Sequence, residues 1–421
     1  MFDRLVEFPV VERLLELPLL GSVTFWQYLS LPLVAAVVGY LTNWIAIKMT
    51  FHPLTFWGIP PYLGWQGIIP KKAEKMASTF VNTTMYRLGS LPELFQEMEP
   101  EVIARHIESV LAPRVAHYAD DVMTSSHGRL WESAPQMMRR QVYAAVRERM
   151  PVLVREVIAD VGNHVEDLLD FEHMVVTRLK TDKALLNRLF IDSGKAEFKL
   201  LIDCGYYFGF LFGLLQLLWW ILYPAAWTLA AAGLVHGWLT NYLALNLVFR
   251  PLHPVQVGPW KVQGLFLKRQ KEVAAIWCHL VTREILTIRA LMRSMLTGPR
   301  SDRAQELIRR HLKPLVDEAV EAVGPMAKIA VGADGVERIH EKLGNKALAI
   351  SADPFEDERF NEGRAEVVER MLRERMERMP PEEFQDLLRP CFKEDEVTLL
   401  ALGSVVGFVV GVLQHAIFFA L

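Results

Sequence analysis

The chain of 421 residues is poor in what most functional classes need. It has 3 cysteines, Cys204, Cys278 and Cys391, and no C-x-x-C pair. That leaves neither a disulfide framework nor a cysteine-type metal site, and it points to free thiols in a reducing compartment. An excess of one charge is missing too. The 46 Lys and Arg nearly balance the 49 Asp and Glu, for a net charge of −3, so no nucleic-acid partner is expected. Catalytic signatures are absent: there is no H-E-x-x-H, no G-x-S-x-G and no paired Cys/His ligand set, and His52 and His253 belong to none. Asp192-Ser193-Gly194-Lys195 lacks the first glycine and the Ser/Thr of a phosphate-binding loop. The chain therefore reads as non-enzymatic, with no cofactor and no metal. No alternating β-branched run is long enough for a sheet, so an all-α fold is expected.

What the chain does have is 52% hydrophobic residues beside 23% charged ones, and the two are segregated into blocks. Four blocks are long enough to cross a bilayer, which takes roughly 20 mostly apolar residues. They cover 23–51, 200–222, 225–249 and 397–421, and Tyr223-Pro224 makes a tight hairpin between the middle two. The fold class expected is an all-α integral membrane protein with four transmembrane helices and two large helical extramembrane domains, 52–199 and 250–396. Residues 1–22, with more acidic than basic side chains, read as an amphipathic segment on the membrane surface rather than a cleavable signal peptide. Basic residues flanking the spans sit almost all on the side of the large loops. The positive-inside rule then places both loops in the cytoplasm of a multi-pass inner-membrane protein.

A tandem duplication is the strongest internal signal. Gly39-Tyr40-Leu41-Thr42-Asn43 recurs as Gly237-Trp238-Leu239-Thr240-Asn241, a spacing of 198 residues (39 to 237). The same spacing relates Gly205, Gly209, Gly213 and Gln216 to Gly403, Gly407, Gly411 and Gln414. Between them, Gln66-Gly67 to Lys71-Lys72 answers Gln263-Gly264 to Lys268-Arg269. Both units enter the membrane in the same sense, as parallel repeats do in some transporters. These motifs, with the ending Glu383 to Pro390 followed by Gly403 to Gln414, resemble the YheB/YjiN-like family of bacterial inner-membrane proteins, a domain of unknown function (445). The resemblance implies a largely helical membrane protein and assigns no catalytic or binding residue.

Candidate site residues are the polar side chains inside spans and the basic pairs beside them. Thr42, Asn43, Thr240 and Asn241 lie about two turns inside the membrane, where an unsatisfied amide costs several kcal/mol. They form either a hydrogen-bonded clamp between the repeats or a shared polar site. Gln216 and Gln414 share helix faces with the small-residue stripes and either bond across the bundle or line a polar path. Asp203, His236 and His415 are ionisable residues within spans, of which His236 lies nearest mid-membrane. Lys71, Lys72, Lys268 and Arg269 follow aromatic, proline-rich segments and are placed against the lipid bilayer's anionic headgroups. In the loops, Val154, Ile158, Val161, Val165 and Leu168 form a two-heptad seam fit for protein partners or self-association. Helix breaks are expected at Gly128, Gly298-Pro299, Gly332 to Gly335 and Pro380-Pro381. Two function classes stay open: a membrane-anchored scaffold or organiser, favoured by the seam and the charged loops, and a conduit for lipid or a small solute.

Overall fold

A computed structural model describes residues 23–59, 63–82, 86–223, 225–324, 329, 331–386 and 396–418, and it is mostly helical. In chain order, the elements used below begin with α1 (Val23–Phe51), the hairpin of β1 (Trp57–Ile59) and β2 (Leu63–Trp65), and α2 (Ile68–Lys71). Next come α3 (Val115–Ser133), α4 (Gln136–Asn163), α5 (Lys183–Ser193), α6 (Lys195–Leu222) and α7 (Ala226–Phe249). The hairpin of β3 (Val255–Val257) and β4 (Trp260–Val262), α8 (Leu265–Lys268), α9 (Ser301–Val323), α10 (Ala333–Ile350) and α11 (Glu396–Phe418) complete the set. The chain forms two compact units. The first gathers the described parts of Met1–Thr79, Asp182–Trp277 and Met376–Leu421, the second those of Phe80–Thr181 and Cys278–Arg375.

In the first unit, α1, α6 and α11 are long and apolar enough to cross a membrane. The 24-residue α7 carries no Asp, Glu, Lys or Arg. Large apolar side chains such as Leu211, Leu215, Leu218 and Trp219 on α6 lie exposed, the mark of a helix whose outer face meets lipid rather than water. The inner face is made of small residues. Glycines at 205, 209 and 213 recur every four residues and so line one side of α6. Gly205 packs on Gly39, Gly209 on Ala35 and Gly213 on Pro32, so α1 and α6 run antiparallel in backbone contact. A methyl group on either Gly39 or Gly205 would overlap the other's carbonyl oxygen. The same arrangement joins α7 to α11 through Gly237 with Gly403 and Gly233 with Gly407.

After α1 and after α7 the chain turns through one local structure. His52-Pro53 and Arg250-Pro251 are both cis peptide bonds. Each is followed by a short antiparallel hairpin, Trp57 opposite Trp65 in one and Val255 opposite Val262 in the other. The Gly67 amide donates to the Pro53 carbonyl at 2.9 Å, and the Gly264 amide donates to Pro251 at 3.0 Å. Gln66 Nε2 donates to Leu54 O at 2.8 Å, and Gln263 Nε2 to Leu252 O at 3.0 Å. These hairpins correct the expectation of loops that are helical throughout. Proline cannot continue the helix hydrogen bonding, and Gly58, at φ 135, takes a conformation that side chains disfavour.

The second unit corrects the division of the loops into one domain per half. Segments of both loops fold together. Leu153 of α4 packs with Leu312 and Leu315 of α9, and Val122 of α3 packs with Val316 and Ile339 of α9 and α10. The proposed seam is buried throughout, from Val154 to Leu168. It is not one helix, however, because α4 ends at Asn163 and Val165–Leu168 is a separate turn. Other breaks fall where glycine and proline lead one to expect them. The backbone leaves the helix at His127, beside Gly128. A helix ends at Thr297 before Gly298, and another ends at Arg378 before Pro380. Between the two apolar clusters lies a partly open cavity of about 520 Å³. Its apolar walls lack packing partners on that side and so forgo contact energy.

Residues 1–22, with the expected surface segment, and residues 387–395, with Cys391, lie outside the described residues. Cys204 and Cys278 are buried, and neither is in a disulfide. The glycine contacts make a direct prediction. Gly205→Ala and Gly403→Ala should each lower stability by about 1–3 kcal/mol, because overpacking forces the helices apart. Gly363→Ala, where nothing lies within 4 Å of an added methyl, should instead stabilise its helix by up to about 1 kcal/mol. Thermal unfolding in detergent compares the three; similar midpoints for all of them would show that the spans are not held by these contacts.

Candidate functional site

Close helix approach decides what becomes of the polar side chains in the spans. Thr42, Asn43, Thr240, Asn241, Gln216 and Gln414 are all buried, each no more than 7% exposed. Adjacent positions on a helix point about 100° apart, so each Thr-Asn pair divides. Asn43 and Asn241 line one cavity with Thr50, Ala46 and Ala244. Thr42 and Thr240 line another with Gln216, Gln414 and His236. Each cavity is about 40 Å³, room for only a few waters. A single site shared by both Thr-Asn pairs is therefore corrected to two small chambers.

Hydrogen bonds in these chambers run both between helices and within one helix. Asn43 Nδ2 donates to the Leu201 carbonyl of α6 at 2.6 Å, so it clamps α1 to its antiparallel partner. Its Oδ1 is buried with no hydrogen-bond partner. Thr240 Oγ1 donates to His236 O of its own helix at 2.8 Å. Gln414 Nε2 lies 3.5 Å from Ser30 O, reaching from α11 to α1. The His236 ring stacks on Phe212 at 5.4 Å. His415 stands apart beside Trp220, with Nδ1 buried and unbonded. Asp203 is partly exposed.

The basic candidates also separate. Lys71 and Lys268 end α2 and α8 and are exposed. Lys72 is half-buried. Arg269 does not face outward as a headgroup contact. It donates to both carboxylate oxygens of Glu197 at 2.8 and 2.9 Å and pairs with Glu272 at 2.8 Å. Burial pulls the Arg269 pKa down, but the bonds and charges of Glu197 and Glu272 outweigh it and hold the group above its ordinary value. The Glu197 side chain is 3% exposed, and a carboxylate that deep needs such a partner.

Three positions escaped the sequence reading. Glu197 is one. The others are Asn187, which donates to the Phe51 carbonyl at 2.5 Å where α1 ends, and Gln385, buried with its Nε2 unbonded. Asn187 and Gln385 are 198 residues apart (187 to 385), so the spacing of the motifs was a signal that could have found them. Nothing in the sequence marks Glu197 as the partner of Arg269. Among the described residues no cluster of side chains is arranged to hold a metal ion.

Residues 33–161 match the model of a family described as a protein of unknown function (DUF445), in agreement with the resemblance carried by the motifs. The chain is similar to a UPF0754 membrane protein of Synechococcus sp., 39% identical over 77 residues, which is 17% of this chain and 18% of that protein. It is 27% identical over 137 residues to a UPF0754 membrane protein of Bacillus licheniformis, 30% of this chain and 35% of that one. A UPF0754 membrane protein of Nostoc sp. is 36% identical over 75 residues, 16% and 17% of the two chains. The matching segments span about a third or less of these relatives. No solved structure matches the chain at a significant level.

The Glu197–Arg269 pair carries the prediction of this site. Glu197→Ala leaves a partly buried guanidinium with only Glu272 and should cost about 3–5 kcal/mol of stability. Replacing both partners with methionine should restore much of that loss. Chemical denaturation of the reconstituted chain measures it, and a neutral Glu197→Ala would refute a structural role for the pair.

Proposed function

We propose that this chain is a four-span, internally duplicated membrane anchor whose loops build a helical scaffold, and that it is not an enzyme. The observation that carries this reading is the packing of the spans. Beside the backbone contacts at Gly39–Gly205 and Gly237–Gly403, the polar side chains line two chambers of about 40 Å³ each. Chambers of that size suit polar groups that bond between helices, as Asn43 does to the Leu201 carbonyl, better than the wall of a path. The duplication draws support from the 198-residue spacing, which repeats the glycine contacts and the proline after each span, and from the turn and Gln-to-backbone bonds that recur one residue out of that register. The charge-free α7 supplies the fourth span. On this reading Lys71 and Lys268 meet anionic headgroups, and the inner membrane of a bacterium holds the chain with its large loops in the cytoplasm, as the flanking basic residues favour.

A second reading, a lipid or small-solute conduit, keeps one observation in its favour: His236, both Thr and both Gln residues converge on a single chamber. The two readings part in reconstituted vesicles. A scaffold should pass neither fluorescent phospholipid nor trapped dye faster than protein-free vesicles do. A conduit should pass one of them, and Asn43→Leu with Asn241→Leu should then abolish the flux.

Orientation needs a reporter other than the native thiol at Cys278, which is 0% exposed. With the cysteines removed, Met137→Cys places a thiol at a position 72% exposed. A membrane-impermeant maleimide should label it only after lysis. Labelling of intact cells would put the loops outside and overturn the cytoplasmic assignment.

A further inference from the structure

The cavity of the second unit differs in kind from the chambers of the spans. Its walls come mostly from α3, α4, α9 and α10, and apart from Tyr118, His127, Ser133 and Lys346 the described lining is apolar. It is more than ten times the volume of either membrane chamber and falls in the range of sites that hold small organic ligands. The wall of α3 is interrupted at His127, whose backbone at φ −144 and ψ 51 leaves the helical region. The His127 Nδ1 is buried there with no hydrogen-bond partner.

Two features decide the occupant. The first is size. At about 520 Å³ the cavity matches sites that take one small organic ligand. A thin, flexible hydrocarbon chain fits. The second is charge. Among the described residues of the lining, Lys346 is the only Lys, Arg, Asp or Glu. Its ammonium reaches Asp121 at 2.6 Å and lies 5.4 Å from the Tyr118 ring, and the bond holds the Asp121 carboxyl below its usual range. An ammonium has three donors, so one bond to Asp121 leaves others for an acidic headgroup. The membrane spans keep the unit in reach of lipid. We propose that this cavity binds one long acyl chain, with its acidic head at Lys346.

The test uses the full chain in phosphatidylcholine nanodiscs and palmitic acid carrying a diazirine in its tail. Attachment should be saturable, competed by plain palmitate, and mapped to peptides of α3, α4, α9 or α10. Filling the cavity from two walls, with Ala319→Phe or Ala347→Phe, should each cut attachment at least tenfold. Lys346→Met should weaken the acid several-fold and leave the corresponding alcohol unchanged. Hydrogen exchange on the wild-type chain needs no variant: palmitate should protect these four helices. A second arm replaces the free acid with a diazirine phosphatidylglycerol in the nanodisc. Labelling of the same peptides there assigns the tail to a membrane lipid, whereas labelling by the free acid alone assigns it to a fatty acid. Labelling confined to the spans, attachment indifferent to both fillings, or no change in exchange would overturn the proposal.

Discussion

Backbone contact between helices that carry glycine where they touch is the constraint on which the rest of the first unit depends. In lipid there is no hydrophobic drive to bring two apolar helices together, so association rests on close packing and on hydrogen bonds between them. Glycine at 39, 205, 237 and 403 allows both. Once α1 and α6 meet at that distance, the Asn43 amide reaches a carbonyl of the facing helix. Thr42, Gln216 and Gln414 then line a chamber of about 40 Å³. The polar residues of the spans follow from the glycines and would be costly without them.

Where the spans end, the chain faces a different problem. Helical backbone has to stop, satisfy its last carbonyls and turn before the next element. It does so by the same device twice, with a proline, a two-stranded hairpin and a short helix entered through a glycine amide bonded back to the proline carbonyl. Asn187 of α5 covers the Phe51 carbonyl at the end of α1. The Glu197–Arg269 pair ties the start of α6 to the residue that follows α8.

The second unit is packed by other rules. Apolar faces of α3, α4, α9 and α10 cluster as in a water-soluble helical domain, yet they leave a large unfilled volume. The contrast with the first unit carries the functional argument. Space is scarce beside the polar side chains of the spans and ample in the helical unit, where a bound chain would fill apolar volume.

Much of this was legible along the chain. Apolar blocks predict α1, α6, α7 and α11 to within a few residues, because the demand of a bilayer for length and apolarity is local. Four-residue glycine spacing and the recurring Thr-Asn pairs mark the buried face of each span for the same reason. Tertiary structure alone decided which partners those faces take. It sent each threonine and its neighbouring asparagine into separate chambers, withdrew Arg269 from the surface to Glu197, folded both loops into one unit and left a cavity inside it. These outcomes rest on contacts such as that of Leu153 with Leu312, between residues far apart along the chain. Hydropathy, spacing and charge near either residue carry no record of the other.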